Sequence, residues 1–159
     1  LLRPYFLALL AEGYGKVGQP EEGLSAVAEA QAIAHENEVR HYEAELYRLK
    51  GELTLQKEAG GWRLETGPIS PQASSLKPQV SGEVAWEAEG YFQKAIEIAR
   101  RQQAKSLELR AVTSLARLWQ QQSKKAEARQ MLAEIYGWFT EGFDTKDLQE
   151  AKALLEELA

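Results

Sequence analysis

The 159-residue chain has no cysteine, only two histidines and one methionine, and no long hydrophobic run. Without cysteine it can form no disulfide bond, thiolate metal site or cysteine nucleophile, and this composition suits a reducing, cytoplasmic compartment. His35 and His41 leave little for metal binding or general-base chemistry, so we expect no cofactor and no enzymatic activity. No segment approaches the roughly 18 consecutive apolar residues of a membrane span, so we expect no membrane partner.

Charge is distributed unevenly along this chain, whose net charge is −5. Residues 100–129 contain eight Lys and Arg against two Glu, which gives +6, and residues 141–159 contain six acidic residues against two Lys, which gives −4. The basic segment carries no nucleic-acid-binding motif and lies in an acidic chain, so we expect no nucleic acid partner. A solvated helix face that acts on a neighbouring domain is the favoured interpretation.

Apolar residues recur at helical spacing nearly everywhere, and no stretch alternates as a strand does, which predicts an all-α protein. Residues 58–82 break the pattern with four Gly, three Pro and four Ser, and are predicted to be a flexible insertion.

Trp86 and Trp119 lie on the apolar stripes and are expected to be packed. We predict a single domain, 1–159, whose helices form three pairs and a cap: 4–17 with 20–35 (pair 4–35), 42–57 with 83–100 (pair 42–100), 105–121 with 124–137 (pair 105–137), and 144–158.

Small residues mark an internal repeat. The first helix of each pair carries Ala11, Gly51 or Ala116 at one position, and the second carries Gly23, Ala88 or Ala128. The members are 40 residues apart where no insertion intervenes and 65 apart across residues 58–82, so one insertion of 25 explains every spacing. Helix pairs of this kind cannot bury their apolar stripes alone and must stack.

At these positions the chain resembles the tetratricopeptide repeat (TPR), although its period is 40 rather than 34. The residues that carry the resemblance are Leu7, Leu10, Ala11, Tyr14, Gly18, Gly23, Val27 and Ala30 in the first pair, Ala88, Phe92 and Ala95 in the second, and Leu115, Ala116, Trp119, Ala128 and Leu132 in the third. The resemblance implies a right-handed superhelical solenoid of about three helix pairs plus a C-terminal capping helix.

A narrower resemblance concerns residues 88–122 and 135–158. Both segments are similar to the C-terminal part of bacterial signalling proteins that join an adenylate/guanylate cyclase domain, an AAA-type ATPase module and a TPR region. The chain begins at Leu1 rather than Met and is expected to be part of such a longer protein. The resemblance implies a non-catalytic protein-interaction or regulatory module, because no cyclase or nucleotide-binding motif is present here.

In TPR-like stacks the first helices line a groove, and mapping from the small residues gives the groove positions of this chain. They are Arg48, Glu52, Arg110, Thr113, Arg117 and Gln120. The arginines predict an acidic protein or peptide partner, or a neighbouring domain of the same chain, held by charge-assisted hydrogen bonds.

Two other functions remain open. One is a small-ligand sensor that controls the activity of the parent protein. The other is a self-association scaffold, a homodimer formed through the apolar face of the first helix, where Leu2, Phe6 and Leu9 are expected to be uncovered.

The spacing Gly13-x-Gly15-x-x-Gly18 matches a dinucleotide-binding fingerprint but has the wrong context. That fingerprint follows a strand and opens a helix, whereas here a predicted helix precedes it. We therefore expect a helix end with Gly18 as its C-cap.

Overall fold

A computed structural model describes residues 2–38, 40–59 and 80–159 of the chain. Within these ranges all regular structure is helical and no strand occurs, which confirms the all-α prediction. The helices are α1 (Arg3–Lys16), α2 (Pro20–Glu36), α3 (Glu43–Glu58), α4 (Gly82–Arg101), α5 (Lys105–Gln121), α6 (Lys125–Tyr136) and α7 (Lys146–Glu157). Each helix begins and ends within one or two residues of its predicted bounds.

The predicted insertion, 58–82, lies outside the described residues except at its two ends. At those ends the backbone N–H of Ser81 donates to Glu58 Oε2 over 3.2 Å. The last residue of α3 therefore lies beside the residue that precedes α4.

The chain divides into two compact units. The first contains Leu1–Tyr42 and Leu49–Ala88, and the second contains Glu43–Arg48 and Glu89–Ala159. Helices α3 and α4 contribute residues to both units. That the whole chain is one domain stays a prediction.

In the first unit, α1 and α2 pack through residues with little or no side chain. Ala11 is fully buried, and Gly23 lies so close to Leu53 that a Cβ on it would be 2.9 Å from Leu53 Cδ2. Gln56 donates its amide N–H to the carbonyl oxygen of Gly15 over 2.8 Å. This part of α3 is thus fixed to α1 and α2 by one large apolar side chain and one buried amide.

In the second unit, α3 and α4 run antiparallel, since Ala44 packs near Ile98 and the Tyr47 ring lies 6.5 Å from the Tyr91 ring. Helix α5 pairs with α6, and α7 packs against both. The core side chains of these last three helices are almost completely buried; they include Leu109, Val112, Leu115, Leu132, Leu148 and Leu154. The six small residues that define the repeat are all buried.

Three of the described turns between helices share one backbone geometry. At the end of α5, Ser123 has a left-handed φ of 64°, its N–H donates to Gln120 O, and the Lys124 N–H donates to Trp119 O. Gly18 and Gln103 end α1 and α4 with the same pair of hydrogen bonds. Glu38, between α2 and α3, is left-handed as well, and the spacings of 20, 65 and 20 residues along Gly18, Glu38, Gln103 and Ser123 follow the repeat inferred from the small residues. Gly142, between α6 and α7, is also left-handed.

Glycine at the left-handed turn positions should stabilise the protein. Because the left-handed conformation costs an L side chain roughly 1–2 kcal/mol, Gln103→Gly and Ser123→Gly should each raise the free energy of unfolding by about 0.5–1 kcal/mol. Both side chains are exposed, so the substitutions remove little packing. The exposed Gln130, inside α6, is the matched control, and Gln130→Gly should be destabilising by about 0.5–1 kcal/mol. Urea unfolding followed by circular dichroism measures the three values. The same sign for Gln103→Gly and Gln130→Gly would contradict the explanation.

The structure corrects one packing prediction. Trp119 is half-buried with its ring nitrogen inside the protein, as expected, but Trp86 is 77% exposed. The buried face of α4 is defined by Ala85, Ala88 and Phe92. Trp86 follows Ala85 directly and therefore lies about 100° around the helix from that face.

Candidate functional site

Four of the predicted groove residues form one face of α5. Arg110, Thr113, Arg117 and Gln120 are spaced three, seven and ten residues from the first, which places them on one side of the helix; we call this set the α5 polar face. Thr113 is 4% exposed, and its hydroxyl donates to Leu109 O over 2.7 Å, so its side-chain hydrogen bond is made within α5. The other three side chains reach beyond α5.

These three side chains contact acidic residues of α7. Arg110 Nε lies 3.7 Å from Asp147 Oδ1. Arg117 Nη2 lies 3.3 Å from Glu150 Oε2, and Gln120 donates to Glu157 Oε2 over 3.2 Å. Residue numbers increase together along both helices, so α7 runs in the same direction as α5. The basic third repeat and the acidic C-terminal segment, separated in the sequence, therefore meet on this face.

Arg110 also belongs to a buried ionic cluster with Glu45 and Arg48. Arg48 makes a two-point contact with the Glu45 carboxylate, with Nη2 2.7 Å from Oε1 and Nε 3.0 Å from Oε2. Arg110 Nη1 lies 2.9 Å from the same Oε1. Glu45 and Arg48 are 7% and 6% exposed, so their charges are held inside the second unit, where water screens them little.

Five of the six predicted groove residues lie in the second unit, and they make different contacts. Arg48 and Arg110 both pair with Glu45, whereas Arg117 and Gln120 contact acidic residues of α7. Glu52 is half-buried in the part of α3 that belongs to the first unit. Of the three arginines, Arg117 has the most exposed charge: its side chain is 44% exposed, and that of its partner Glu150 is 39% exposed.

Sequence reasoning missed a second buried carboxylate and the cleft beside it. Glu108 is 4% exposed and lies between Arg100 Nε, at 2.8 Å, and Lys105 Nζ, at 3.1 Å. The Lys105 ammonium also lies 5.7 Å from the Trp138 ring, in a cation–π contact. Arg100, Lys105 and Trp138 line an open cleft, together with Gln103, Ala104, Ser106 and Phe139. The spacing Arg100…Lys105…Glu108 around a turn is the signal that would have identified the cluster.

The remaining residues singled out in the sequence have simple structural roles. His35 and His41 are exposed, and no three His, Asp or Glu side chains in the described ranges are arranged to hold a metal ion. Gly13 and Gly15 lie inside α1, and Gly18 follows it with a φ of 77°, which confirms the helix end. None of the helices in the described part of the chain is long and apolar enough to cross a membrane.

Comparison with known proteins gave no match, neither to a family model nor to a curated protein nor to a solved structure.

Proposed function

We propose that this chain is a non-catalytic interaction and regulatory module that binds an acidic amphipathic helix on the α5 polar face. The observation that carries the proposal is the set of contacts between Arg110, Arg117 and Gln120 and the acidic side of α7, at 3.2–3.7 Å. The opposite side of α7 is apolar and buries Leu148, Ala151 and Leu154. The face therefore already holds a helix of this chemistry, supplied by the same chain.

The wider architecture that we propose is a TPR-like right-handed solenoid of three helix pairs with α7 as its cap. Three features support it: the shared turn geometry, the six buried small residues, and the packing of α7 parallel to α5, where the first helix of a next repeat would lie. The resemblance of residues 88–122 and 135–158 supports placing this module in a larger bacterial signalling protein of the cyclase or ATPase type.

In this proposal, binding of a partner is regulated by competition between the partner helix and α7 for the α5 polar face. A partner helix must displace α7, which is tethered and therefore present at an effective concentration of the order of millimolar. The exposed Arg117–Glu150 pair contributes at most about 1 kcal/mol because water screens it. Small changes in the charge of α7 should therefore shift the competition without unfolding the core.

A labelled peptide that contains residues 144–159 tests the proposal. We expect the full chain to bind it saturably in a fluorescence anisotropy titration. Asp147→Asn with Glu150→Gln in the chain should strengthen peptide binding, because the resident competitor is weakened, and the affinity of this chain should fall as salt rises. Adding Arg117→Glu to the same chain should weaken peptide binding about tenfold, because attraction to the acidic side of the peptide becomes repulsion while the neutralised α7 is little affected.

Arg129→Glu is the matched control for this experiment. Arg129 is an exposed arginine of α6 that lies outside the α5 polar face, so its reversal makes the same change in net charge. Equal losses for Arg117→Glu and Arg129→Glu would attribute binding to net charge alone and contradict the proposed site. An absence of binding to the Asp147→Asn/Glu150→Gln chain would contradict it as well.

As a second candidate function we propose a small-ligand sensor that binds its ligand in the cleft beside Glu108. Trp138 is 58% exposed, its ring lies 5.7 Å from the Lys105 ammonium, and Arg100 lines the same cleft. Since Glu108 balances only one of these charges, the cleft is suited to an anionic ligand with a planar group.

A further inference from the structure

Helix α1 is apolar on two sides, and only one of them is covered. Pro4, Ala8, Ala11 and Gly15 are buried within the first unit. Elsewhere on the helix and at its two caps, five large apolar side chains are between 46% and 60% exposed: Leu2, Phe6, Leu9, Leu10 and Val17. We call this set, together with Gly13 among them, the α1 stripe. A soluble helix normally keeps its exposed side polar.

The α1 stripe is continuous and large enough for a specific interface. Its six positions fall within an arc of about 100° at 3.6 residues per turn. From the exposed fractions, the five side chains offer roughly 500 Å² of apolar surface, so two copies would bury roughly 1,000 Å² at full burial, which is the lower limit for a biological interface and suits a weak, reversible dimer. Such a patch on one helix indicates an interaction site rather than scattered surface residues.

The α1 stripe is complementary to itself in the antiparallel direction. When two copies of α1 pair about a two-fold axis between Leu9 and Leu10, residue 2 lies opposite 17 and residue 6 lies opposite 13. The largest side chain, Phe6, then lies over Gly13, where no heavy atom comes within 4 Å of the position that a Cβ would take. Leu2 lies opposite Val17. Leu9 lies opposite Leu10, so the surface is self-complementary, as a closed two-fold interface requires.

Charges at the borders of the α1 stripe do not oppose this pairing. Arg3 lies at one border and is paired with Glu29 over 2.7 Å. Lys16 lies at the other and is paired with Glu12 over 3.1 Å. Because both cations already have a carboxylate within the same chain, pairing of the stripes buries no uncompensated charge.

We propose that the α1 stripe binds a second copy of this chain, with the two α1 helices antiparallel and Phe6 of each copy packed on Gly13 of the other. This interface lies on α1 and does not depend on the binding of an acidic helix by α5. It makes the chain a two-fold symmetric dimer that presents two α5 polar faces.

Sedimentation velocity of the full chain over a concentration series tests for the dimer. We expect a monomer–dimer equilibrium in the micromolar range. Phe6→Glu should raise the dimer dissociation constant at least 100-fold, and circular dichroism should show an unchanged helix content because Phe6 is exposed. A wild-type chain that stays monomeric at all concentrations, or that forms larger assemblies without a dimer, would overturn the proposal.

Gly13→Phe separates this packing from general hydrophobic association. It enlarges the apolar surface, so unspecific association should strengthen, whereas the proposed packing predicts at least a tenfold weakening because Phe6 loses its space. The double variant Phe6→Ala/Gly13→Phe should recover dimerisation, since the large and small residues have then exchanged places. Strengthened association of the single variant would contradict the antiparallel packing.

Disulfide cross-linking determines whether the two α1 helices are antiparallel or parallel. No native residue interferes, because the chain has no cysteine. A mixture of the Phe6→Cys and Gly13→Cys chains, oxidised mildly, should form the mixed 6–13 disulfide. Each chain oxidised alone should remain uncross-linked. Homodisulfides at position 6 or 13 would indicate parallel helices and overturn the proposal.

Discussion

Glu45→Gln should lower the free energy of unfolding by about 3 kcal/mol, which is a large part of the stability of an ordinary domain. The substitution keeps the size of the side chain but removes the negative charge on which Arg48 and Arg110 converge at 2.7–3.0 Å. Arg48 is 6% exposed and cannot recover its hydration without opening the second unit. Urea unfolding followed by circular dichroism at several protein concentrations measures the loss.

Two matched variants show whether the loss comes from removing the buried carboxylate that the two arginines share. Glu97→Gln removes one carboxylate from an exposed pair with Lys94, where the Glu97 side chain is 60% exposed, so it should change stability by less than about 0.5 kcal/mol. Glu45→Met/Arg48→Met removes both buried charges, while Arg110 can still turn towards Asp147, 3.7 Å away. The double variant should therefore be more stable than Glu45→Gln. If it is less stable, the Glu45–Arg48 pair itself contributes net stability, and the loss of that contribution accounts for the effect of Glu45→Gln.

The helices and their turns could be predicted from the sequence because both depend on local chemistry. The 3.6-residue period places the apolar stripes, and Gly18-Gln19-Pro20 supplies a left-handed helix end and a proline that opens α2. The position of Trp86 could not be predicted in the same way. A side chain 100° from the buried face of its helix is buried or exposed depending on which element packs beside it. The helical period alone does not carry that information.

The sequence predicted which residues of α5 form the candidate site, but it did not predict that α7 of the same chain already covers them. Arg110 and Arg117 are on one face of α5, as their spacing requires, but that face was expected to be open to a partner. Asp147 and Glu150 look like ordinary solvated acids in the sequence, and only the packing of α7 on α5 brings them within 3.7 Å of the arginines. The burial of Glu45 could not be predicted for the same reason. Its carboxylate is paired with Arg110, a cation on a helix more than 60 residues away in the chain.

Gly23→Ala and Gly90→Ala, which make the same chemical change in two helices, should affect stability in opposite directions. A Cβ on Gly23 would lie 2.9 Å from Leu53 Cδ2 and 3.2 Å from the Ala11 carbonyl oxygen. Leu53 is 2% exposed and has no free space to enter, so Gly23→Ala should cost about 1–3 kcal/mol. No atom lies within 4 Å of a Cβ on Gly90 inside α4, so Gly90→Ala should gain about 0.5–1 kcal/mol from helix propensity.

The close approach of Gly23 to Leu53 can be separated from a general intolerance of α2 by a second change at the contact. Leu53→Val shortens the side chain that the new methyl group meets, so the loss in the double variant Gly23→Ala/Leu53→Val should be smaller than the sum of the two single losses by about 1 kcal/mol. Additive losses would mean that the methyl group does not act through Leu53. Because Gly23 is one of the six small residues that define the repeat, a negative coupling energy at this contact would also explain why a helix pair of this chain requires a residue without a side chain there.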